Sequence, residues 1–308
     1  MTRVNRLALP LVAAALLFAA GCSPARKETA SRPAAAIVAT YSVLGSVLGE
    51  LVGDRIKVVT MIPNGLDVHE WEPSARDIEA LTKAGLVVEN GLGLEGGMGK
   101  ALEQARRSGA RFFTASDYIV VRKVGEGEGI PSGDPDQAIG ADDPHIWTDP
   151  RAMKAVVAAL APEILKDFGI DVSGRAADLE GRLDALDAEI ADETAALPEG
   201  SRKLVTGHES LGYFAQRYGF KLVGAVIPSL STEAEGSAKD FKALEKLIAE
   251  NGVKVVFTEL GTPQKTVDAL AREAGVRAVP LTTHSLPADG SYFSFERDLA
   301  GSIIGALK

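Results

Sequence analysis

Residues 172–198 read VSGRAADLEGRLDALDAEIADETAALP. Leu179, Leu183, Leu186, Ile190 and Leu197 recur there at spacings of 4, 3, 4 and 7, and acids and arginines fill the positions between them. That periodicity predicts one amphipathic helix with a single apolar stripe. At about 1.5 Å per residue it would run roughly 40 Å, and Pro198-Glu199-Gly200 ends it. The run is short for a coiled coil and is read instead as a rod between two lobes. Residues 36–171 then form an N-terminal lobe, 172–198 the linking helix and 199–308 a C-terminal lobe.

On both sides of the rod, short apolar runs alternate with helical patterns. Before it stand AIVAT (36–40), IKVVTMI (56–62), LVVENG (86–91) and RFFT (111–114). After it stand KLVT (203–206), KLVGAV (221–226), VKVVFT (253–258) and VRAVPL (276–281). One helix begins at Ser74, an N-cap with an acid, Asp77, three residues on. Another begins at Asp149-Pro150, an N-cap followed by proline in the first turn. Further helical stretches cover 209–218, 240–251, 266–274 and 295–307. The alternation implies an α/β protein: two Rossmann-like lobes with mostly parallel sheets, helices on both faces, joined by one long rigid helix. Residues 124–144, rich in Gly, Pro and Asp, break the pattern and read as a long loop.

The 308 residues are 46% hydrophobic and 24% charged, ordinary for a globular chain with a sizeable core. With 33 Lys and Arg against 42 Asp and Glu, the net charge of −9 argues against nucleic acid as a partner. A single cysteine excludes an intramolecular disulfide and a cysteine-based zinc finger. Residues 1–21 carry Arg3 and Arg6, then an apolar run too short to span a membrane comfortably, and read as a signal peptide. Ala19-Ala20-Gly21-Cys22 resembles a bacterial lipobox, although leucine is commoner where Ala19 stands. Lipidation of Cys22 would hold the chain on a membrane by more than one acyl chain, with residues 22–35 as its flexible tether. Loss of residues 1–21 leaves 31 positive against 42 negative side chains, a net of −11.

Four histidines remain to be placed: His69, His145, His208 and His284, separated by 76, 63 and 76 residues. The equal spacing suggests pseudo-symmetric halves. At least three of them follow a strand, and in open α/β sheets ligands bind beyond the carboxyl ends of strands. Four neutral imidazoles suit Zn²⁺, with copper and nickel also compatible. Glu70, Asp143, Glu209 and Glu259 are candidates to orient the rings.

GLDVHEWEPSARDIEAL (65–81), DDPHIWTDP (142–150), GHESLGYFAQRYGF (207–220) and VVFTELGTPQKTVDALAREAGV (255–276) together resemble the zinc/manganese solute-binding lipoproteins of bacterial ABC importers. The resemblance covers essentially the whole mature chain. It implies two α/β lobes joined by a rigid helix with a divalent cation between them. It also implies delivery to an ABC permease, no catalysis, a monomer, and an extracytoplasmic, lipid-anchored location in the periplasm or on the outer cell surface. Carried over residue by residue, it implies that His69, His145 and His208 are ligands. The fourth ligand of the family is usually an Asp, and here His284 stands near that place with Asp289 five residues on. An all-nitrogen site with His284 favours zinc; Asp289 or Glu259 as the fourth ligand reopens Mn²⁺ or Fe²⁺. Val68 replaces the usual proline before the first ligand, and the 124–144 loop lacks the histidines that zinc members often carry there.

Two other classes compete. A zinc hydrolase would need an open coordination position and a general base, and the chain has no HExxH and no GxSxG. An adhesin-like lipoprotein or an organic-solute receptor would leave the four histidines idle, and aromatics to line a pocket make up only 6% of the chain.

Overall fold

The computed structural model describes residues 36–129 and 133–308; the expected signal peptide, Cys22 and the tether lie outside the described residues. Strand β1 (Ile37–Tyr41) is buried along its whole length, as a central parallel strand covered on both faces must be. It pairs in parallel with β2 (Val58–Ile62) on one side and β3 (Leu86–Glu89) on the other. β3 in turn pairs with β4 (Phe112–Thr114), giving the order β2-β1-β3-β4. Helices α1 (Ser42–Val52), α2 (Ala75–Lys83) and α3 (Gly99–Arg107) connect these strands. Ser74 caps α2 in a reciprocal box with Asp77. Asp149 caps α4 (Pro150–Phe168), with Pro150 in the first turn.

The C-terminal strands are β5 (Lys203–Thr206), β6 (Lys221–Ala225), β7 (Val255–Thr258) and β8 (Arg277–Pro280). They form two parallel pairs, β5-β6 and β7-β8, with β5 packed alongside β7. The order β6-β5-β7-β8 therefore repeats that of the first sheet. Pro280 sits on the outermost strand, where the missing N–H costs no ladder bond. α7 (Ala238–Asn251) and α8 (Gln264–Ala274) lie on this sheet. Helix α6 (Gly212–Tyr218) starts later than the sequence suggests. Glu209 donates its backbone N–H to the Ser229 carbonyl and Ser210 donates to that of His208, so residues 209 and 210 are engaged outside the helix and Leu211 becomes its N-cap.

Helix α5 (Ser173–Ala195) spans 23 residues, about 35 Å. It packs on α4, α1 and α6 and on the closing helix α9 (Tyr292–Leu307). Its stripe Leu179, Leu183, Leu186 and Ile190 is buried in one core with Val156, Leu160, Leu299 and Ile303. A second, smaller core of Val205, Val223, Leu244, Val256 and Leu270 lies beneath β5–β8. Asp187 on α5 accepts from Arg151 Nε of α4 at 2.9 Å and from Arg217 Nε of α6 at 2.6 Å, tying the rod to both sides. The repeated strand order is a symmetry between the sheets, but the equal 76-residue spacing does not express it. His69 follows the second strand of its sheet whereas His208 follows the first of its own.

Candidate metal centre

His69 lies on the loop between β2 and α2. Its backbone N–H donates to Asp67 Oδ1 at 2.9 Å, and its carbonyl accepts from Gly97 N at 2.9 Å. A side chain on Gly97 would collide with the Trp71 carbonyl, so the loop needs glycine there to seat the histidine. His145 precedes the single turn Ile146–Thr148. Its backbone N–H and its ring Nδ1 both face Asp143 Oδ1, at 3.0 and 2.9 Å. His208 follows β5, and its carbonyl accepts from Thr206 Oγ1 at 2.5 Å. His284 follows β8, and its Nδ1 lies 2.9 Å from Thr283 Oγ1.

The four rings meet. His145 and His208 are fully buried, and His69 and His284 are 2% exposed. One ring nitrogen from each residue lies within 4.8 Å of those of the other three. Nε2 of His145 and of His208 are 3.2 Å apart, and Nε2 of His69 and of His284 have no hydrogen-bond partner. Thr283 Oγ1 donates to Glu259 Oε2 at 2.7 Å, so it accepts from His284, which places that proton on Nδ1. Asp143 sets the same tautomer in His145. Both rings then turn a lone pair inward from Nε2. Burial, followed by the neighbouring histidines, holds the pKa of His69 and of His208 well below the ordinary value. Burial, with His145 beside it, pushes His284 down to about 3. Neutral imidazoles are the form that ligates a metal.

A tetrahedral Zn²⁺ with bonds of about 2.0–2.1 Å separates its ligand nitrogens by about 3.3 Å. The His145–His208 pair already matches one such edge at 3.2 Å. The cluster could therefore hold a four-coordinate ion with only small ring movements. A cavity of about 370 Å³ opens onto it, lined by His69, Leu92, Gly93, Asp136, Asp142 and Leu230 among others.

The acids divide sharply. Asp143 supports His145 directly. Glu259 stands 3.4 Å from His208 Nδ1 and accepts from Gly207 N, Ser210 Oγ and Thr283 Oγ1, at 3.0, 2.6 and 2.7 Å. Burial raises its carboxyl above the usual range. It sits behind the rings rather than among the converging nitrogens. Glu209 turns away to accept from Gln137 Nε2 at 2.6 Å, and burial lifts its pKa to about 7. Glu70 is exposed and lines a different cavity. Asp289, considered as an alternative ligand, is exposed and outside the cluster: it accepts from Ser291 N and Ser294 Oγ at the start of α9. Sequence reasoning missed Thr283, Ser210 and Arg122. For Thr283 a signal existed, a hydroxyl residue adjacent to a strand-end histidine.

The fold and the cluster together define a class: a two-lobed α/β protein built around a buried set of four imidazoles. A family model described as "Zinc-uptake complex component A periplasmic" (ZnuA) matches residues 37–306, and the chain belongs to that family. Membership places it among the metal-binding, substrate-binding components of ABC importers. Among curated relatives it is 29% identical to the zinc-binding protein TroA of Treponema pallidum over 91% of this chain and 86% of that one. It is 28% identical to the manganese-binding lipoprotein MntA of Bacillus subtilis, over 91% and 89% of the two chains. The solved structure of periplasmic zinc-binding TroA from T. pallidum superposes with a TM-score of 0.72 at 25% identity, covering 89% of this chain and 99% of that one.

Proposed function

We propose that this chain captures one Zn²⁺ between its lobes, with His69, His145, His208 and His284 as the four ligands, and delivers it to an ABC permease for import. The observation that carries the reading is the convergence of four buried ring nitrogens with no carboxylate oxygen among them. Manganese and iron favour oxygen donors and higher coordination, whereas an all-imidazole tetrahedral set suits zinc. The manganese-binding relatives make Mn²⁺ the competing cargo, and it would require Glu259 to turn into the cluster. In the same reading residues 36–171 and 199–308 are the two lobes about the 172–198 helix, and Cys22, after loss of residues 1–21, anchors the chain outside the cytoplasm. Four filled positions leave none for the activated water that a hydrolase needs.

The test is metal competition on the purified soluble chain, residues 23–308, stripped of metal and offered Zn²⁺, Mn²⁺ and Fe²⁺ together. The expected result is one zinc per chain, with thermal stabilisation that grows with free zinc by about 4 kcal/mol at a thousandfold excess over Kd. Preferential retention of manganese or iron, or no bound metal, would overturn the reading.

A further inference from the structure

Arg122 lies in the run 119–123 and breaks its exposure pattern. Val120 is 93% exposed, while Arg122 is 6% exposed. A guanidinium is tolerated inside a protein only when its donors are answered. Here Nη1 donates to Asp143 Oδ2 at 3.0 Å, and Nη2 is paired with Glu128. The backbone is fixed as well: Arg122 N–H donates to Tyr213 OH at 2.9 Å, and Arg122 O accepts from Asp143 N at 2.9 Å. Asp143 is thus gripped by Arg122 at its amide and at one carboxylate oxygen, while its other oxygen faces the backbone and ring of His145. Rotation of that carboxylate would carry Oδ1 away from His145 Nδ1, and the guanidinium prevents it. Gly212, at the start of α6, closes the other side: a Cβ there would collide with Asp143 Oδ2 and Arg122 Nη1.

We propose that Arg122 is a positioning residue for metal capture: by locking the plane of Asp143 it fixes the ring of His145, and so sets how tightly the cluster holds its ion. This inference rests on the metal-site reading above. An arginine paired with Glu128 alone would only fasten the loop. The second arm to Asp143 is what reaches the site.

The test measures zinc affinity by competition with a chromophoric chelator, the absorption spectrum of the Co²⁺-loaded chain, and the melting temperature of the metal-free chain. Arg122→Met is expected to weaken zinc binding about 10–100-fold, the usual consequence of losing a partner behind a metal ligand, and to change the cobalt spectrum. Arg122→Lys should recover part of the affinity, since a single ammonium can reach Asp143 but cannot hold both carboxylates as a fork does. In an Asp143→Asn background, Arg122→Met should add little further loss, because the two act in series. Should Arg122→Met fail to fold, Gly212→Ala decides: it removes no charge, displaces Asp143 Oδ2, and is expected to weaken zinc binding. Parental affinity and cobalt spectrum in Arg122→Met, or in Gly212→Ala where that variant decides, would overturn the inference whatever the melting temperature. A parent chain that binds neither zinc nor cobalt would overturn the metal-site reading and this inference with it.

Discussion

The supports of His145 and of His208 solve one problem with opposite chemistry. Behind His145 stands an ionic chain, Asp143 to Arg122 to Glu128, drawn from the stretch 122–143 before α4. Behind His208 and His284 stands Glu259, satisfied by two hydroxyls and a backbone amide, with no Lys or Arg paired to it among the described residues. Burial raises the pKa of the Glu259 carboxyl above the usual range, while its three donors act against that rise. The first arm is a carboxyl group paired with an arginine, and it faces one ring at 2.9 Å; the second is a carboxyl group held by hydroxyls, 3.4 Å from His208 Nδ1 and linked to His284 through Thr283. A buried ligand can thus be oriented by charge or by hydroxyl geometry, and the two devices should respond differently to substitution.

The largest effect is expected from the proposed ligands themselves. His145→Ala and His208→Ala should each weaken zinc binding by more than the 10–100-fold typical of residues behind a ligand, as read by chelator competition. Near-parental affinity in either would break the equivalence of the two arms. Next come their supports. Asp143→Asn should cost about tenfold or more in zinc affinity. Glu259→Gln should cost less, because its carboxyl makes no direct hydrogen bond to a ring, standing 3.4 Å from His208 Nδ1, and an amide of the same shape keeps the hydroxyl contacts. Equal losses would erase the difference drawn between the two arms.

The pH dependence of the metal-free chain contains two opposed contributions. Glu95 and Glu209 are lifted by burial to about 7. Their contribution is complete below the unfolded value near 4.3 and is lost as pH rises towards 7, by on the order of 1–3 kcal/mol each. The depressed histidines have the other sign: below about 6.5 the unfolded chain takes up protons that the folded chain refuses, so stability falls as pH falls. Glu259 and Glu296, also raised by burial, act with the sign of Glu95 and Glu209, so denaturant titrations of a Glu95→Gln, Glu209→Gln double variant should show a more positive change of stability between pH 5 and 7 than the parent chain. A slope equal to the parent's would show that Glu95 and Glu209 are not held protonated by burial. The smallest effect is expected at Asp289: Asp289→Asn should leave zinc affinity within about twofold and the melting temperature nearly unchanged.

Much of this arrangement was legible in the sequence, where local chemistry and tertiary role agree. The apolar stripe of α5, the Ser74 and Asp149 caps and the eight strands all follow from period and capping rules. Helices α1 and α3 were not legible. In α1, SVLGSVLGELV is buried on nearly all sides and carries two glycines, so no polar face marks its period. At the site, strand-end position singled out at least three of the four histidines, and DPH at 143–145 placed an acid two residues before the ring of His145. Asp289 looked equally available from its spacing, but an Asp beside Ser291 and Ser294 is spent on a helix start. Arg122 was hidden because nothing local shows that a charged residue after three apolar ones turns inward. Its partners, Asp143 and Tyr213, are 21 and 91 residues away.

The most direct test is a crystal structure of the zinc-loaded chain with anomalous diffraction recorded at the zinc edge. The expected result is one peak at about 2.0–2.1 Å from a ring nitrogen of each of His69, His145, His208 and His284. A peak held by Glu259 or Asp289 in place of any of the four, or lying outside the cluster, would contradict an all-histidine zinc site.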